Sequence, residues 1–131
     1  MPMLTVTPIY AALIAILMAV LSTRVGFMRG SHEVALGDGG KPSLALAIRH
    51  FGNLSEYAAV VLFLMLLMEL QGVSADRLHL FGAVFVALRL IHPVILFDTM
   101  GAPMWKKAGR FVSAGGTAAL MMIGAVTLLF G

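Results

Sequence analysis

Two long tracts without a charged side chain, one at each end of the chain, most constrain how this sequence can fold. Residues 1–23 and 111–131 contain no Lys, Arg, Asp or Glu. Each tract can cross a hydrocarbon core of about 30 Å as a helix of roughly 20 residues. Between them, residues 54–68 carry Glu56 as their only charge, and residues 78–97 are interrupted only by His79, Arg89 and His92. The pattern predicts four transmembrane helices.

The composition supports this interpretation, because 60% of the residues are hydrophobic and only 11% are charged, against about 25% charged in soluble domains. A membrane β-barrel would show apolar residues alternating with polar ones, and that alternation is absent. No basic residue precedes the first tract, so we expect a retained helix rather than a cleaved signal. We predict one all-α domain, an integral membrane four-helix bundle, with helices at about 4–23, 43–71, 75–98 and 106–130 and a polar loop from Arg24 to Lys41.

The basic residues indicate how the chain is oriented. The second connection has only Arg77, whereas the first and third connections are flanked by Arg24, Arg29, Lys41, Arg49, Lys106, Lys107 and Arg110. By the positive-inside rule, we expect loops one and three to be cytoplasmic and both termini to be periplasmic. The basic excess therefore reflects topology, and we expect no nucleic-acid partner. The chain has no cysteine, so any sulfur chemistry must arrive with a cofactor.

A row of polar residues near the start of the second helix is the strongest functional signal. Arg49, Asn53 and Glu56 are separated by four and three positions, which places them on one helix face with Tyr57 one step round. A charged residue costs about 2.5–3.5 kcal/mol at the centre of a membrane helix, so such a row indicates a functional site. Its donors and acceptors suit a zwitterionic ligand with peptide groups. The alternative is an internal clasp, in which Glu56 pairs with Arg49 or Asn53.

The third helix carries Arg89 and His92, three residues apart. We expect Arg89 to face protein rather than lipid, and its simplest structural role is to pair with Glu56 on the neighbouring helix. Two histidines on different helices, His50 and His92, could in principle ligate a b-type haem. We disfavour that interpretation because neither histidine has a clear partner spacing, and we expect no metal site. Glu69 and Asp76 are most simply interfacial and solvated.

In these residues the chain resembles the membrane-associated proteins in eicosanoid and glutathione metabolism, the MAPEG family, which includes microsomal glutathione transferases. The specific motif is Arg49-x-x-x-Asn53-x-x-Glu56-Tyr57. Closer still, the chain resembles a small bacterial branch of inner-membrane proteins in that family. The segments shared with this branch are Gly37-Asp38-Gly39-Gly40, Ala47-Ile48-Arg49-x-x-Gly52-Asn53, Met68-Glu69 and Arg89-Leu90-x-His92.

The resemblance implies a homotrimer in the bacterial inner membrane that binds glutathione, or another low-molecular-weight thiol, between subunits near the cytoplasmic face. The positions that match the family's thiol pocket are Arg49, Asn53, Glu56, Tyr57, Arg89 and His92, with Arg24 or Arg29 supplying the helix-one arginine. Lys106, Lys107 or Arg110 would stabilise the thiolate. The implied activity is that of a glutathione-dependent transferase or peroxidase acting on lipophilic electrophiles that enter from the bilayer.

The chain departs from the family pattern at two points. Leu96 stands where characterised enzymes have a tyrosine, and Lys106 or Lys107 stands near the position of a helix-four arginine. These departures motivate an alternative, a non-catalytic membrane scaffold or lipid-binding protein that keeps the bundle. A transporter subunit is a weaker alternative, because the sequence shows no broken helices or inverted repeats.

Overall fold

The computed structural model describes residues 3–95 and 101–131. The described residues form four helices: α1 (Thr7–His32), α2 (Pro42–Leu70), α3 (Ala75–Ile95) and α4 (Met104–Phe130). The prediction of an all-α membrane bundle is confirmed. The bounds of α2 and α4 lie within two residues of the predicted ones, and α3 begins at the predicted residue; its predicted last residues, 96–98, lie outside the described part of the chain.

Three of the described helices, α1, α2 and α4, are each long and apolar enough to cross a membrane. At 1.5 Å per residue they reach about 39–43 Å, which exceeds a hydrocarbon core of about 30 Å. Part of each helix must therefore lie in the interface or in water.

The four helices run alternately up and down, with α2 and α3 in the middle. α1 packs against α2 and α3, while α4 packs against the same pair from another side. The core is a stripe along α2 that meets Ile14, Phe85 and Leu120 from the other three helices; on α2 it consists of Leu54, Ala58, Val61, Met65 and Met68. These positions repeat every three or four residues, which is the spacing of one helix face. The many apolar side chains exposed outside this core are what a lipid-facing surface requires.

The predicted loop from Arg24 to Lys41 was wrong in its first half, because α1 continues to His32. The end of the apolar tract marks where the helix leaves the hydrocarbon, and a helix need not end there. It ends instead at Glu33, which adopts a left-handed conformation (φ 54°). The amide of Val34 donates to the carbonyl of Arg29 and that of Glu33 to Gly30, which is a Schellman motif. The true loop is therefore short and runs over residues 33–41.

The two ends of the bundle differ in character. The charged end is the end at which α1 stops and α2 begins, and it contains Arg24, Arg49 and Arg110. At the opposite end, called the far end below, Glu69 of α2 accepts the backbone N–H groups of Thr5, Val6 and Thr7 at 2.7–2.8 Å. The expectation that Glu69 is merely solvated was wrong. Its carboxylate satisfies the unpaired donors of the α1 N-terminus, whereas Asp76 is exposed as expected.

Candidate functional site

The polar row on α2 divides into an outward pair and an inward pair. Arg49 Nη1 donates to Glu56 Oε1 at 3.3 Å, and Nη2 donates to Oε2 at 2.8 Å. The two side chains remain 51% and 54% exposed on the surface of the protomer. The clasp between Arg49 and Glu56 therefore exists, but it lies open on the outside of the bundle.

Asn53 and Tyr57, the other two members of the row, face inward to Arg89 of α3. Arg89 is only 2% exposed. Its Nη1 donates to the side-chain oxygen of Asn53, and its Cζ lies 5.7 Å from the centroid of the Tyr57 ring. The predicted pairing of Arg89 with Glu56 was wrong, since Glu56 is held by Arg49 and an amide oxygen meets Arg89 instead.

Two small residues of α4 complete the environment of Arg89. Its Nη2 donates to the Ser113 carbonyl and hydroxyl, both at 3.0 Å, and to the Thr117 hydroxyl at 2.6 Å. Ser113 Oγ in turn donates to the Leu88 carbonyl, and Thr117 Oγ1 donates to the Ser113 carbonyl. Arg89 thereby joins α2, α3 and α4 through neutral oxygen atoms. Among the described residues no carboxylate bonds to it.

The structure distinguishes the two arginines of α1 that were candidates for the thiol pocket. Arg24 Nη1 lies 3.4 Å from His50 Nδ1, so it reaches toward the polar row on α2. Arg29 instead donates to the carbonyl of Gly37 at 2.7 Å and holds the short first loop closed. Of the two candidates, Arg24 is the one that the fold places beside the cluster.

His50 and His92 meet in the same region. Their ring centroids are 6.4 Å apart with an edge-to-face arrangement. His50 is 5% exposed, and its Nε2 atom has no hydrogen-bond partner in the described structure. Arg49, Arg89 and Arg110 all lie within electrostatic reach of His92. The charged end is therefore a region of concentrated positive charge.

The three candidate bases of α4 are differently placed. Lys106 Nζ stacks over the exposed Trp105 ring at 5.5 Å, and Lys107 is half-buried in the next position. Arg110 lies a turn further along α4 and acts electrostatically on His92. Of the three bases, Arg110 is the one whose charge acts on a residue of the cluster. Leu96, the position of the family tyrosine, lies outside the described residues.

Ser113, Thr117 and His50 were not predicted as members of the site. Gly109, Ser113 and Thr117 recur every four residues in the sequence, a spacing of small residues that predicts close helix packing. Ser113 and Thr117 are fully buried, as that interpretation requires, and their hydroxyl groups also solvate a buried cation. The sequence signal for their role is that two hydroxyl residues lie one turn apart on a helix that packs near Arg89.

This arrangement can hold an anionic or zwitterionic ligand. Exposed arginines at the charged end offer paired N–H donors that match a carboxylate, and the amide of Asn53 still has its N–H groups available for a peptide carbonyl.

Comparison with known proteins identifies the family to which the sequence is similar. A model described as "MAPEG family" matches residues 7–126. The inner membrane protein YecN of Escherichia coli, matched in two strains, is 36% identical over 118 residues, which cover 90% of this chain and 87% of the relative. No solved structure matches the chain.

Proposed function

The chain belongs to the MAPEG family, and on that premise we propose that it is an inner-membrane protein that binds glutathione, or another low-molecular-weight thiol, at the charged end of its bundle. The inner-membrane assignment follows the name of its E. coli relative and the three apolar helices. The thiol ligand follows from the match to the family's motif on α2 and from the charge at that end.

The observation that carries the proposal is the exposure of the Arg49–Glu56 pair. Glu69 lies at the far end of α2, and Glu56 is thirteen residues before it, so about 20 Å separates them along the axis. With a core of about 30 Å, Glu56 lies roughly 10 Å inside the hydrocarbon at the charged end. A charge left facing lipid at that depth costs up to about 2.5–3.5 kcal/mol. Coverage of this pair by a ligand, by a second protein surface or by both would remove that cost.

A second copy of the chain supplies that cover in our proposal. The three-copy assembly implied by the family resemblance would place the exposed face of α2 against a neighbour, with the ligand between them. The outward pair could then exchange its mutual bonds for bonds to the ligand, Arg49 to a carboxylate and Glu56 to an ammonium group. Both ligand groups occur in glutathione.

The positive charge of the cluster suits the chemistry of a thiol. The thiolate is the nucleophile, while an ordinary thiol titrates near 8.5, so a nearby cation favours the reactive form. We assign that role to Arg110, with Lys106 and Lys107 as the neighbouring alternatives. In a transfer reaction the thiol gives its proton to water, the thiolate sulfur forms a bond to the electrophilic carbon, and the leaving group departs with the electron pair of its own bond to that carbon.

The lipophilic partner would approach along α1. An exposed and largely apolar patch lies on the outer face of this helix and includes Val20, Thr23, Arg24 and Phe27. Arg24 lies at its inner edge beside His50. A hydrophobic electrophile moving through the bilayer could therefore reach the charged end without passing through water.

Isothermal titration of the detergent-purified protein with glutathione tests the proposal. We expect saturable binding that becomes at least tenfold weaker in the double variant Arg49→Gln with Glu56→Gln, which removes both charges without leaving either unpaired. Lys41→Ala is the matched control, because Lys41 is an exposed base at the same end outside the cluster. The proposal fails if the wild-type protein shows no binding at millimolar glutathione, or if the control weakens binding as much as the double variant.

A second candidate, a non-catalytic scaffold or lipid-binding protein, is favoured by one specific observation. The polar atoms of the motif already satisfy one another, Arg49 with Glu56 and Asn53 with Arg89, so the bundle is complete without a ligand. Turnover of chlorodinitrobenzene with glutathione separates the two candidates. Conjugation that is lost in Arg110→Ala but kept in Lys41→Ala would exclude the scaffold. Glutathione binding without conjugation of this or a hydroperoxide substrate would favour the scaffold.

A further inference from the structure

A groove of about 380 Å³ opens at the far end of the bundle, away from the cluster described above. It lies between α3 and α4, with the last turn of α2 behind it, and we call it the far groove. Its walls include Arg77, Leu80 and Val84 on α3 and Leu120, Ile123 and Thr127 on α4. Arg77 is the only charged residue among the described residues that line it.

The far groove runs along the helices rather than across them. Arg77, Leu80 and Val84 share one face of α3, and Val84 lies seven positions after Arg77, which is a rise of about 10 Å along the helix. The α4 wall from Leu120 to Thr127 has the same length. The groove is thus oriented along the membrane normal and covers about a third of the hydrocarbon thickness. An acyl chain in a bilayer has this same orientation.

Arg77 marks the outer limit of the far groove. It lies two residues into α3, directly after the connection between α2 and α3, and it is exposed. Its side chain makes neither a hydrogen bond nor an ion pair with the protein in residues 3–95 and 101–131. It is also the only Lys or Arg between Arg49 and Arg89 in the sequence. A cation therefore lies at the depth of lipid headgroups, at the mouth of an apolar channel.

We propose that the far groove binds one anionic phospholipid, with an acyl chain between α3 and α4 and its phosphate on Arg77. An amphiphile fits this site, because Arg77 and the Thr127 hydroxyl lie at its outer end and only apolar side chains lie beneath them. A phosphate diester supplies the negative charge that Arg77 lacks, and a guanidinium binds phosphate through paired N–H donors. A second copy of this chain would cover the groove with apolar surface and leave Arg77 without an anion.

Native mass spectrometry of the full chain in detergent, titrated with phosphatidylglycerol and separately with diacylglycerol, tests this proposal. Arg77→Gln should weaken phosphatidylglycerol binding roughly tenfold, the size of one charge-assisted contact, and should leave diacylglycerol binding unchanged. Val84→Trp, which fills the groove, should weaken the binding of both lipids. Val126→Trp is the matched control, because Val126 is also an exposed valine but lies outside the groove.

Three results would overturn the proposal. The first is equal phosphatidylglycerol binding in the wild-type protein, Arg77→Gln and Val84→Trp, which would indicate lipid bound at no defined place. The second is an equal loss in Val126→Trp. The third is a photoreactive residue at position 80 that cross-links to a second copy of the chain rather than to lipid. Leu80→Trp serves as a second groove-filling variant if Val84→Trp does not fold, since Leu80 is more exposed.

Discussion

Replacing Thr117 by valine removes one oxygen from the environment of Arg89 and keeps the shape of the side chain. Thr117 is fully buried, and its hydroxyl accepts from Arg89 Nη2 at 2.6 Å while donating to the Ser113 carbonyl at 2.8 Å. The valine variant therefore loses one bond to a charged donor and one bond to the backbone. No cavity of appreciable size is created.

The expected cost follows from the geometry. A hydrogen bond to a charged group contributes about 1.5–3 kcal/mol in proteins, but side-chain hydrogen bonds between membrane helices average about 0.6 kcal/mol, with a maximum near 1.7. Arg89 Nη2 has two hydrogens for three acceptors, so the two remaining acceptors recover part of the loss. We expect Thr117→Val to lower the free energy of unfolding by about 1 kcal/mol.

Thr127→Val provides a matched control on the same helix. Its hydroxyl makes the same kind of bond to the carbonyl four residues earlier, at 2.8 Å to Ile123, but it has no arginine partner. We expect a change within about 0.5 kcal/mol. Equilibrium unfolding in mixed micelles with increasing dodecyl sulfate, followed by far-ultraviolet circular dichroism, measures both variants. Equal effects of the two substitutions would refute the conclusion that Arg89 depends on Thr117.

Two further predictions concern the far half of the bundle. Glu69→Gln should destabilise the protein by about 1–2 kcal/mol, because a charged acceptor for the three α1 amides is lost. Amide hydrogen exchange at residues 5–7 should also accelerate. Unchanged exchange at these residues would contradict the capping role of Glu69. Gly82→Ala should cost about 1–3 kcal/mol by overpacking, since a Cβ atom at Gly82 would lie 2.5 Å from the Tyr10 ring. Gly115→Ala, where a Cβ atom meets nothing within 4 Å, should be neutral or stabilising in the same unfolding assay.

The fold could be predicted from the sequence because the bilayer imposes a strong rule on composition. Charge-free tracts of about 20 residues become helices, and glycine and proline mark their ends, as Pro42 and Gly72 do for α2. What the sequence could not reveal was how far α1 extends into water. Beyond the hydrocarbon, polarity no longer separates helix from loop, and the helix stops only where Glu33 adopts a left-handed conformation.

The candidate site was predicted in part, for a related reason. Helical spacing indicates which side chains share a face, so the neighbourhood of Asn53, Glu56 and Tyr57 was foreseeable. Spacing does not indicate which other helix supplies the partner. Arg89 was expected to pair with the carboxylate of Glu56, but its buried side chain faces Ser113 and Thr117 of α4. The packing of α4 against α2 and α3 determines these partners, and spacing along one helix does not reveal it.

The same network bears on how a ligand could bind without destabilising the bundle. Because Arg89 Nη1 occupies the side-chain oxygen of Asn53, the orientation of that amide is fixed and its two N–H donors point to the other side. Asn53 can therefore donate to a ligand while it keeps its bond to Arg89. Arg49 and Glu56 differ, because each must break at least one of their mutual hydrogen bonds to bind a ligand. Both side chains are exposed enough to do so. Asn53 thus belongs to the rigid part of the proposed site, whereas Arg49 and Glu56 form the part that exchanges partners on binding.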